Sequence, residues 1–273
     1  MPVSSAVTSD DTMVNVVCMK WGTLYGADYV NALFRGVQKH LSLKHRFVCF
    51  TDNAEGIAAD VEIRPIPRLS LPDGKEDLRW RKLTLFSNPL DDLVGPTLFL
   101  DLDLVIFGSI DVFFTQAGSV PIIRDADLFR SKHLRALFQP KRHRFLEMVG
   151  NSSVFRFRAG AHDHVLKRFV ADPSAATSAY KISQQFQSAA LAAAGELSYW
   201  PKEWCVSFKN ACVPRGLESF RSDPMLPNGA RIVVFAGEPK MTEVLEGGGQ
   251  KWYRRIGNVN WLKSAWNGHG NEF

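Results

Sequence analysis

Two aspartates, Asp101 and Asp103, lie two positions apart inside the apolar run FLDLDLVIF. Side chains at i and i+2 of a β-strand point to the same face, so we expect both carboxylates to meet in one small volume while Leu102 points the other way. Two negative charges held this close need a cation or a shared proton to relieve their repulsion. The spacing therefore predicts a chemical site rather than an ordinary piece of core.

Three interpretations of this pair are open from the residues alone. An Asp-x-Asp at a strand edge supplies the hard oxygen ligands that Mg²⁺ or Mn²⁺ prefers, and such a metal also holds a substrate diphosphate. Four apolar residues followed by Asp-x-Asp also fit the haloacid-dehalogenase phosphatases, in which the first Asp, here Asp101, is the nucleophile. The third interpretation is a pair of solvated acids at a strand end, which the apolar flanks disfavour.

The elements that must position these acids alternate between strands and helices. Apolar runs predict strands at 14–19, 45–50, 61–67 and 97–106, and helical spacing of apolar residues predicts a helix in 27–41. This alternation predicts an α/β fold with an open, mostly parallel mixed sheet flanked by helices. Ligands bind such sheets beyond the carboxyl ends of the strands, and the loop KWGTLYG follows the first strand there.

The rest of the chain is predicted by the same patterns but is less regular. The basic stretch 78–88 and the Ala- and Gln-rich stretch 175–194 are predicted helices. SVPIIRDAD, SSVFRF and GARIVVFAGEP are predicted to contain strands. Because neither a repeat nor a linker interrupts the sequence, we expect one domain over 14–273 after a disordered lead-in at 1–13.

Composition restricts the class of protein and of partner. The net charge of +5 over 273 residues suits an anionic small molecule or an acidic membrane surface, but it is too small and scattered to indicate nucleic acid. The start of the chain lacks a secretory signal pattern and no apolar run could span a bilayer, so we expect a cytoplasmic protein. The four cysteines lack zinc-site spacing and are expected to be reduced thiols.

Five segments carry a family resemblance: VNVVCMKWGTLYGADYVN, RFVCFTDN, LRWRKLTLF, NSSVFRF and VVFAGEPK. Together with the Asp-x-Asp that ends the first half, their order resembles the nucleotide-sugar glycosyltransferases of the GT-A fold. The likeness is greatest to the family-8 type and related bacterial polysaccharide glycosyltransferases. It implies a retaining transfer of sugar from a nucleotide-diphosphate sugar to a glycan or glycolipid acceptor. It also implies a nucleotide-binding half at 14–111 and an acceptor-side half at 112–273. For the location of the protein, it implies the cytoplasm or the inner face of the membrane, with which the protein would associate peripherally.

The resemblance also implies a role for each matched residue. Asp101 and Asp103 would hold Mn²⁺ or Mg²⁺, and Asp103, Lys240 and Gln184 would act in catalysis. The residues implied to contact the donor are Lys20, Trp21, Gly22, Tyr25, Asp52, Arg79, Lys82, Asp101, Asn151 and Gly237.

Two departures from the family pattern keep other functions open. Relatives carry a metal-binding histidine in the late loop, at positions occupied here by Val234 and Ala236. We therefore expect loose metal binding, with His269 as the substitute ligand to consider. Around Gln184 the sequence Ser-Gln-Gln replaces the usual Asp-Gln, which favours a catalytically silent GT-A binding module as an alternative.

A nucleotidyltransferase is disfavoured because its Gly-rich phosphate loop after the first strand is missing. The phosphatase is disfavoured because it carries its Asp-x-Asp on the first strand.

Overall fold

The computed structural model describes residues 13–72, 78–128, 148–251 and 255–268. Within these residues the strands are β1 (Val14–Lys20), β2 (His45–Thr51), β3 (Glu62–Pro65), β4 (Pro96–Leu100), β5 (Leu104–Ile106), β6 (Val120–Arg124), β7 (Gly150–Arg158), β8 (Leu197–Tyr199), β9 (Cys205–Ser207) and β10 (Ile232–Val234). The α-helices span Ala27–His40, Val112–Thr115, Asp125–Leu128, Asp163–Ala171, Pro173–Ala179, Ser183–Ala193, Met241–Leu245 and Asn260–Trp266. Residues Leu78–Phe86 and Gly216–Phe220 form 3₁₀ helices, and Phe208–Cys212 forms a π-helical turn.

The main sheet has seven strands in the order β3-β2-β1-β4-β7-β6-β8. The strands β3, β2, β1 and β4 run parallel to one another, and β6 runs parallel to β8. Strand β7 is antiparallel to both of its neighbours, β4 and β6. Every residue of β1 is buried, as expected for a central strand covered by helices on both faces. The predicted single-domain α/β fold with a mostly parallel mixed sheet is confirmed.

Each face of the sheet carries its own hydrophobic layer. On one face, the helix Ala27–His40 buries a stripe that includes Tyr29, Leu33 and Val37. On the other face, the 3₁₀ helix Leu78–Phe86 buries Trp80 and Phe86. Both layers contain side chains of β1 and β4, so the loops at the carboxyl ends of these strands start from buried strands.

The predicted continuous strand at 97–106 is wrong. The chain leaves the main sheet after β4 and joins a second, three-stranded sheet as β5, in the order β5-β10-β9. Residues Asp101–Asp103 form the crossing between the sheets. The backbone N–H of Asp101 still donates to Ser153 O (2.8 Å), and the carbonyl of Asp103 already accepts from Phe235 N (2.9 Å). The acids therefore lie where the chain changes partners, which places polar groups at the end of a strand rather than within it.

Other expectations have mixed outcomes. The predicted helix at 175–194 is divided into Pro173–Ala179 and Ser183–Ala193. All four cysteines are free and buried, as expected. No helix in the described residues is both long and apolar enough to cross a membrane. The lead-in at 1–13, except for Met13, and the expected substitute ligand His269 lie outside the described residues.

Candidate active site

A cavity of about 730 Å³ opens at the carboxyl ends of β1 and β4. The loop after β1, the 3₁₀ helix Leu78–Phe86, the crossing Asp101–Asp103 and the late loop after β10 all border it. The predicted site residues that line it are Trp21, Gly22, Tyr25, Arg79, Lys82, Asp101, Asp103, Gly237 and Lys240. Segments far apart in sequence thus meet around one space, and the loop KWGTLYG lies next to Asp103.

Each acid of the pair has its own partner on a neighbouring element. Lys82 Nζ lies 2.7 Å from Asp101 Oδ2 and 5.1 Å from the centre of the Phe99 ring. The Tyr25 hydroxyl donates to Asp103 Oδ2 at 3.2 Å. Both acids border the cavity, as predicted, although they do so from a crossing segment and not from one face of a strand. Leu102 is buried in the core and also borders the cavity, so it does not simply point the other way.

The electrostatics of the pair favour a cation in this cavity. Burial and the neighbouring charge of Asp101 raise the pKa of Asp103 to about 7, although Lys82 and the Tyr25 hydrogen bond act against this rise. Burial and the Asp103 carboxylate also raise the pKa of the Tyr25 phenol, so Tyr25 remains a donor at neutral pH. Lys82 is therefore not enough to stabilise both negative charges, and an added positive charge would favour the ionised form of Asp103.

The loop after β1 is held by contacts with β2 and the turn that follows it. Gly22 has φ +59° and donates its backbone N–H to Asp52 Oδ2 at 3.1 Å. Lys20 is buried and its ammonium donates to Asn53 O at 3.0 Å. Lys20 and Asp52 do not line the cavity, and these contacts favour a role in fixing the loop over the predicted contact with the donor.

The late loop after β10 brings Gly237 and Lys240 to the wall of the cavity. Gly237 has φ +87°, a conformation that favours glycine, and it begins a bend that leads to Lys240. Lys240 lies at the start of the helix Met241–Leu245, and its backbone N–H donates to Glu243 Oε2 at 3.2 Å. This contact fixes the backbone of Lys240 and leaves its side chain at the cavity wall.

A smaller cavity of about 160 Å³ adjoins the first and shares Arg79, Lys82 and Asp101 with it. Gln184 lines this smaller space together with Ser152 and Ser153. The predicted residue Asn151 borders neither space: its side-chain Nδ2 donates to Asp125 Oδ1 at 3.4 Å, and its side-chain oxygen Oδ1 accepts from Ser153 N at 3.0 Å. Asn151 therefore shapes the strand behind the site.

Asp125 is a buried acid that sequence reasoning missed. It lies 3.5 Å from Gln184 Nε2 and 3.4 Å from Asn151 Nδ2, and so it joins the two predicted polar residues of the second half. The signal was present in SVPIIRDAD, where an acid directly follows a buried strand, but a single acid after a strand is also typical of a helix start.

The residues present fit a divalent metal in part. Asp101 and Asp103 supply oxygen ligands at one cavity, and a cation between them would relieve the repulsion between their carboxylates. In the described part of the chain, no third His, Cys, Asp or Glu completes a metal-binding group with them. A metal would therefore need oxygen ligands from a bound substrate and from water.

The sequence matches no protein-family model and shows no significant similarity to a curated protein. The structure is similar to that of the apo bifunctional glycosyltransferase WbbM, with a TM-score of 0.55 at 12% identity over 96% of this chain. This chain spans about half of WbbM, 52% of its length.

The structure is also similar to that of the galactosyltransferase LgtC in complex with donor and acceptor sugar analogs. The TM-score is 0.55 at 12% identity, over 93% of this chain and 95% of LgtC. An active-site variant of LgtC gives a TM-score of 0.54 over the same shares of both chains. At this level of identity the likeness concerns the fold, and the chain has the GT-A glycosyltransferase fold.

Proposed function

We propose that this protein is a glycosyltransferase that binds a nucleotide-diphosphate sugar in the cavity at the ends of β1 and β4. The observation that carries the proposal is the convergence of Asp101, Asp103, Lys82 and Lys240 on one cavity of about 730 Å³ in a GT-A fold. This volume lies within the range of cavities that bind small molecules. The named neighbours WbbM and LgtC are both glycosyltransferases, which supports the same reaction class here.

The lining residues give the cavity an aromatic part and a positively charged part. Trp21 and Tyr25 offer aromatic surface next to the backbone of Gly22, which suits a nucleoside base and ribose. Arg79, Lys82 and Lys240 bring positive charge, which suits a diphosphate. The donor would lie with its base at the β1 loop and its phosphates between the acids and Lys240.

The protein's contribution to the reaction is to stabilise the leaving group. As the bond between the anomeric carbon and the β-phosphate oxygen breaks, negative charge grows on the phosphates, and the Lys240 ammonium stabilises it most in the transition state. The oxygen of an acceptor hydroxyl then forms a bond to the anomeric carbon. The proton of that hydroxyl passes to the released diphosphate. This scheme needs no dedicated base, in agreement with a retaining transfer.

Asp101 and Asp103 would hold Mn²⁺ or Mg²⁺, which when bound supplies further positive charge for the departing diphosphate. Lys82, now paired with Asp101, would turn toward the phosphates or share the carboxylate with the ion. Tyr25 keeps Asp103 oriented through its hydroxyl hydrogen bond.

The adjoining smaller cavity is the proposed position of the transferred sugar. Gln184, Ser152 and Ser153 can hydrogen-bond to sugar hydroxyls there. One LgtC structure carries an active-site exchange of glutamine for glutamate, which supports this residue type in a transferase site. A role in bacterial surface polysaccharide or glycolipid synthesis, at the inner face of the membrane, completes the proposal.

A thermal-shift screen tests the proposal directly. Nucleoside diphosphates and nucleotide sugars are added with and without Mn²⁺, and one nucleotide should stabilise the protein by ~3 kcal/mol at a hundredfold excess over its Kd. The double variant Asp101→Asn/Asp103→Asn is the matched control and should lose the Mn²⁺-dependent part of the shift. Release of nucleoside diphosphate from the stabilising sugar donor then measures turnover.

The thermal-shift screen and the assay of diphosphate release, together with a test of phosphate-ester hydrolysis, distinguish the glycosyltransferase from a silent binding module and from a phosphatase. Stabilisation by a nucleotide sugar without any release of diphosphate would identify a silent binding module. The absence of any nucleotide effect, together with hydrolysis of simple phosphate esters, would identify the phosphatase. The phosphatase is disfavoured because Asp101 follows β4 and not the first strand of the sheet.

A further inference from the structure

We infer that Tyr29 is a positioning residue of the donor cavity, because it links two parts of the cavity lining that are far apart in sequence. The first part, called the acid lining, consists of Tyr25 and Asp103, and the second, called the late-loop lining, consists of Gly237 and Lys240. Tyr29 itself is not among the described residues that border the cavity. The inference rests on the proposed function, which gives Asp103 and Lys240 their roles.

The acid lining is supported by a contact between two rings. Tyr29 is buried on the inner stripe of the helix Ala27–His40. Its ring packs edge-to-face against the ring of Tyr25, with 4.9 Å between the ring centroids and 62° between the ring planes. Tyr25 in turn donates its hydroxyl hydrogen bond to Asp103 Oδ2 at 3.2 Å. The Tyr29 ring therefore restricts the position of the residue that orients Asp103.

The late-loop lining is reached by the hydroxyl of the same side chain. The Tyr29 hydroxyl donates to Thr242 Oγ1 at 3.0 Å. Thr242 lies two residues after Lys240, in the first turn of the helix Met241–Leu245. Within that turn Val244 N donates to Lys240 O at 3.1 Å. Because the turn is closed by this hydrogen bond, the contact with Thr242 also locates the backbone of Lys240.

The short helix also has apolar anchors, but they act differently from the hydroxyl bond. Met241 and Val244 are both buried in the core. The burial of apolar side chains is non-directional, whereas a hydrogen bond requires a narrow range of distances and angles. The apolar anchors therefore keep the helix on the core, and the bond from Tyr29 fixes where its first turn lies relative to Tyr25.

The C-terminal helix Asn260–Trp266 supports Tyr29. The Trp266 ring packs edge-to-face against the Tyr29 ring, with 5.1 Å between the centroids and 75° between the planes. The backbone carbonyl of Trp266 accepts from Arg35 Nη2 at 3.1 Å, which ties this helix to the helix that carries Tyr29, and Leu262 is fully buried. Two ring contacts and one hydroxyl bond thus define the position of the Tyr29 side chain.

Removal of a single hydroxyl tests the inference. Tyr29→Phe keeps the ring contacts and deletes the bond to Thr242. We expect kcat for release of nucleoside diphosphate from the stabilising nucleotide sugar to fall about three- to tenfold, the range that corresponds to the loss of one hydrogen bond. The donor KM should change by less than about twofold, because Lys240 acts most strongly in the transition state. Thr242→Val removes the acceptor and should have the same effect, and the double variant should be no worse than either single variant.

Backbone hydrogen exchange measures the link without any nucleotide. In the apo protein, the amides of residues 241–246 should exchange several-fold faster in Tyr29→Phe than in the wild type, because their local opening no longer has to break the hydroxyl bond. Tyr199→Phe is the control with the same chemical change, since the Tyr199 hydroxyl donates to Met148 O at 2.7 Å away from the described lining of the donor cavity. This control should keep wild-type kcat and wild-type exchange at 241–246, whatever its change in melting temperature.

The outcomes separate a positioning role from a merely structural one. Wild-type kcat in Tyr29→Phe would overturn the inference even with faster exchange, because Tyr29 would then only stabilise the fold. An equal fall of kcat in Tyr199→Phe would also overturn it. A wild-type protein that no nucleotide stabilises would instead contradict the proposed function. Exchange at 241–246 would then decide by itself whether the link exists, and wild-type exchange in Tyr29→Phe would exclude it.

Discussion

The candidate site residues in 14–111 form hydrogen bonds and an ion pair with one another. Those in 112–268 lie in loops or at the start of a helix. In the first half, Asp101 pairs with Lys82 and Asp103 accepts from Tyr25. In the second half, Lys240 is fixed through its backbone and Gln184 lies 3.5 Å from Asp125. A first-half substitution that breaks one of these pairs should therefore disturb both structure and activity. Substitution of Lys240, whose described hydrogen bond is made by the backbone, should affect activity alone.

The largest effect is expected for Asp103→Asn. We expect turnover of the stabilising nucleotide sugar to fall by about a hundredfold or more, because the loss of charge removes a metal ligand and the electrostatic stabilisation it supports. The melting temperature should hold, since Asn is nearly isosteric, can still accept from Tyr25, and replaces a carboxylate whose charged form burial already disfavours. Steady-state kinetics and calorimetry measure the two effects.

Asp101→Asn is the comparison within the same pair. It removes the ion pair with Lys82, so donor binding and melting temperature should both fall. Wild-type turnover in both variants with every donor tested would contradict the assignment of these acids to the site.

The two lysines test the contrast between the halves. Lys240→Ala should lower kcat by about tenfold or more with an unchanged melting temperature, because its charge acts on the leaving group in the transition state. Lys82→Ala should mainly raise the donor KM and destabilise the fold by ~1–3 kcal/mol, since Asp101 would lose its partner in a half-buried place.

Lys167→Ala is the matched control for the lysines, because Lys167 forms an exposed ion pair with Asp163 within one helix. Its change in stability should stay below ~0.5 kcal/mol. Equal and negligible effects of all three substitutions would contradict the assignment of Lys82 and Lys240 to donor binding and catalysis.

Much of the first half could be predicted because strand and helix patterns act locally. The buried run of β1, the apolar stripe of Ala27–His40 and the loop position all follow from periodicity and from the rule for parallel sheets. The break at Asp101–Asp103 could not be predicted, because the run remains apolar on both sides. It depends on β10, which supplies the new partner for β5 from more than a hundred residues away.

The predicted site residues that border the cavity are those whose side chains face open space, and their roles stay predictions. Asp52 and Lys20 were expected at the donor but form contacts within the loops, which sequence alone does not distinguish from ligand contacts. Asn151 likewise contacts Asp125, and neither residue of that pair could be assigned without knowing that β6 and β7 are neighbours.

The smallest effect concerns the metal preference. The structure separates Val234 and Ala236, the two positions at which the family resemblance implies a histidine. Val234 is fully buried in β10 between β5 and β9, so a histidine there would face the core. Ala236 is half-buried and directly precedes Gly237, which lines the cavity. Ala236→His is therefore the variant that can add a ligand, and Val234→His is its control.

Without that nitrogen ligand, Mn²⁺ should bind weakly in the absence of nucleotide and outperform Mg²⁺ only modestly, because oxygen ligands discriminate poorly between the two ions. Titrating each metal into the apo protein and into the nucleotide complex measures this preference. Ala236→His should raise the affinity for Mn²⁺ relative to Mg²⁺ several-fold, whereas Val234→His should lower stability and leave the ratio unchanged. Tight Mn²⁺ binding by the wild-type apo protein would mean that another residue supplies the ligand, and His269→Ala would then be the next variant to measure.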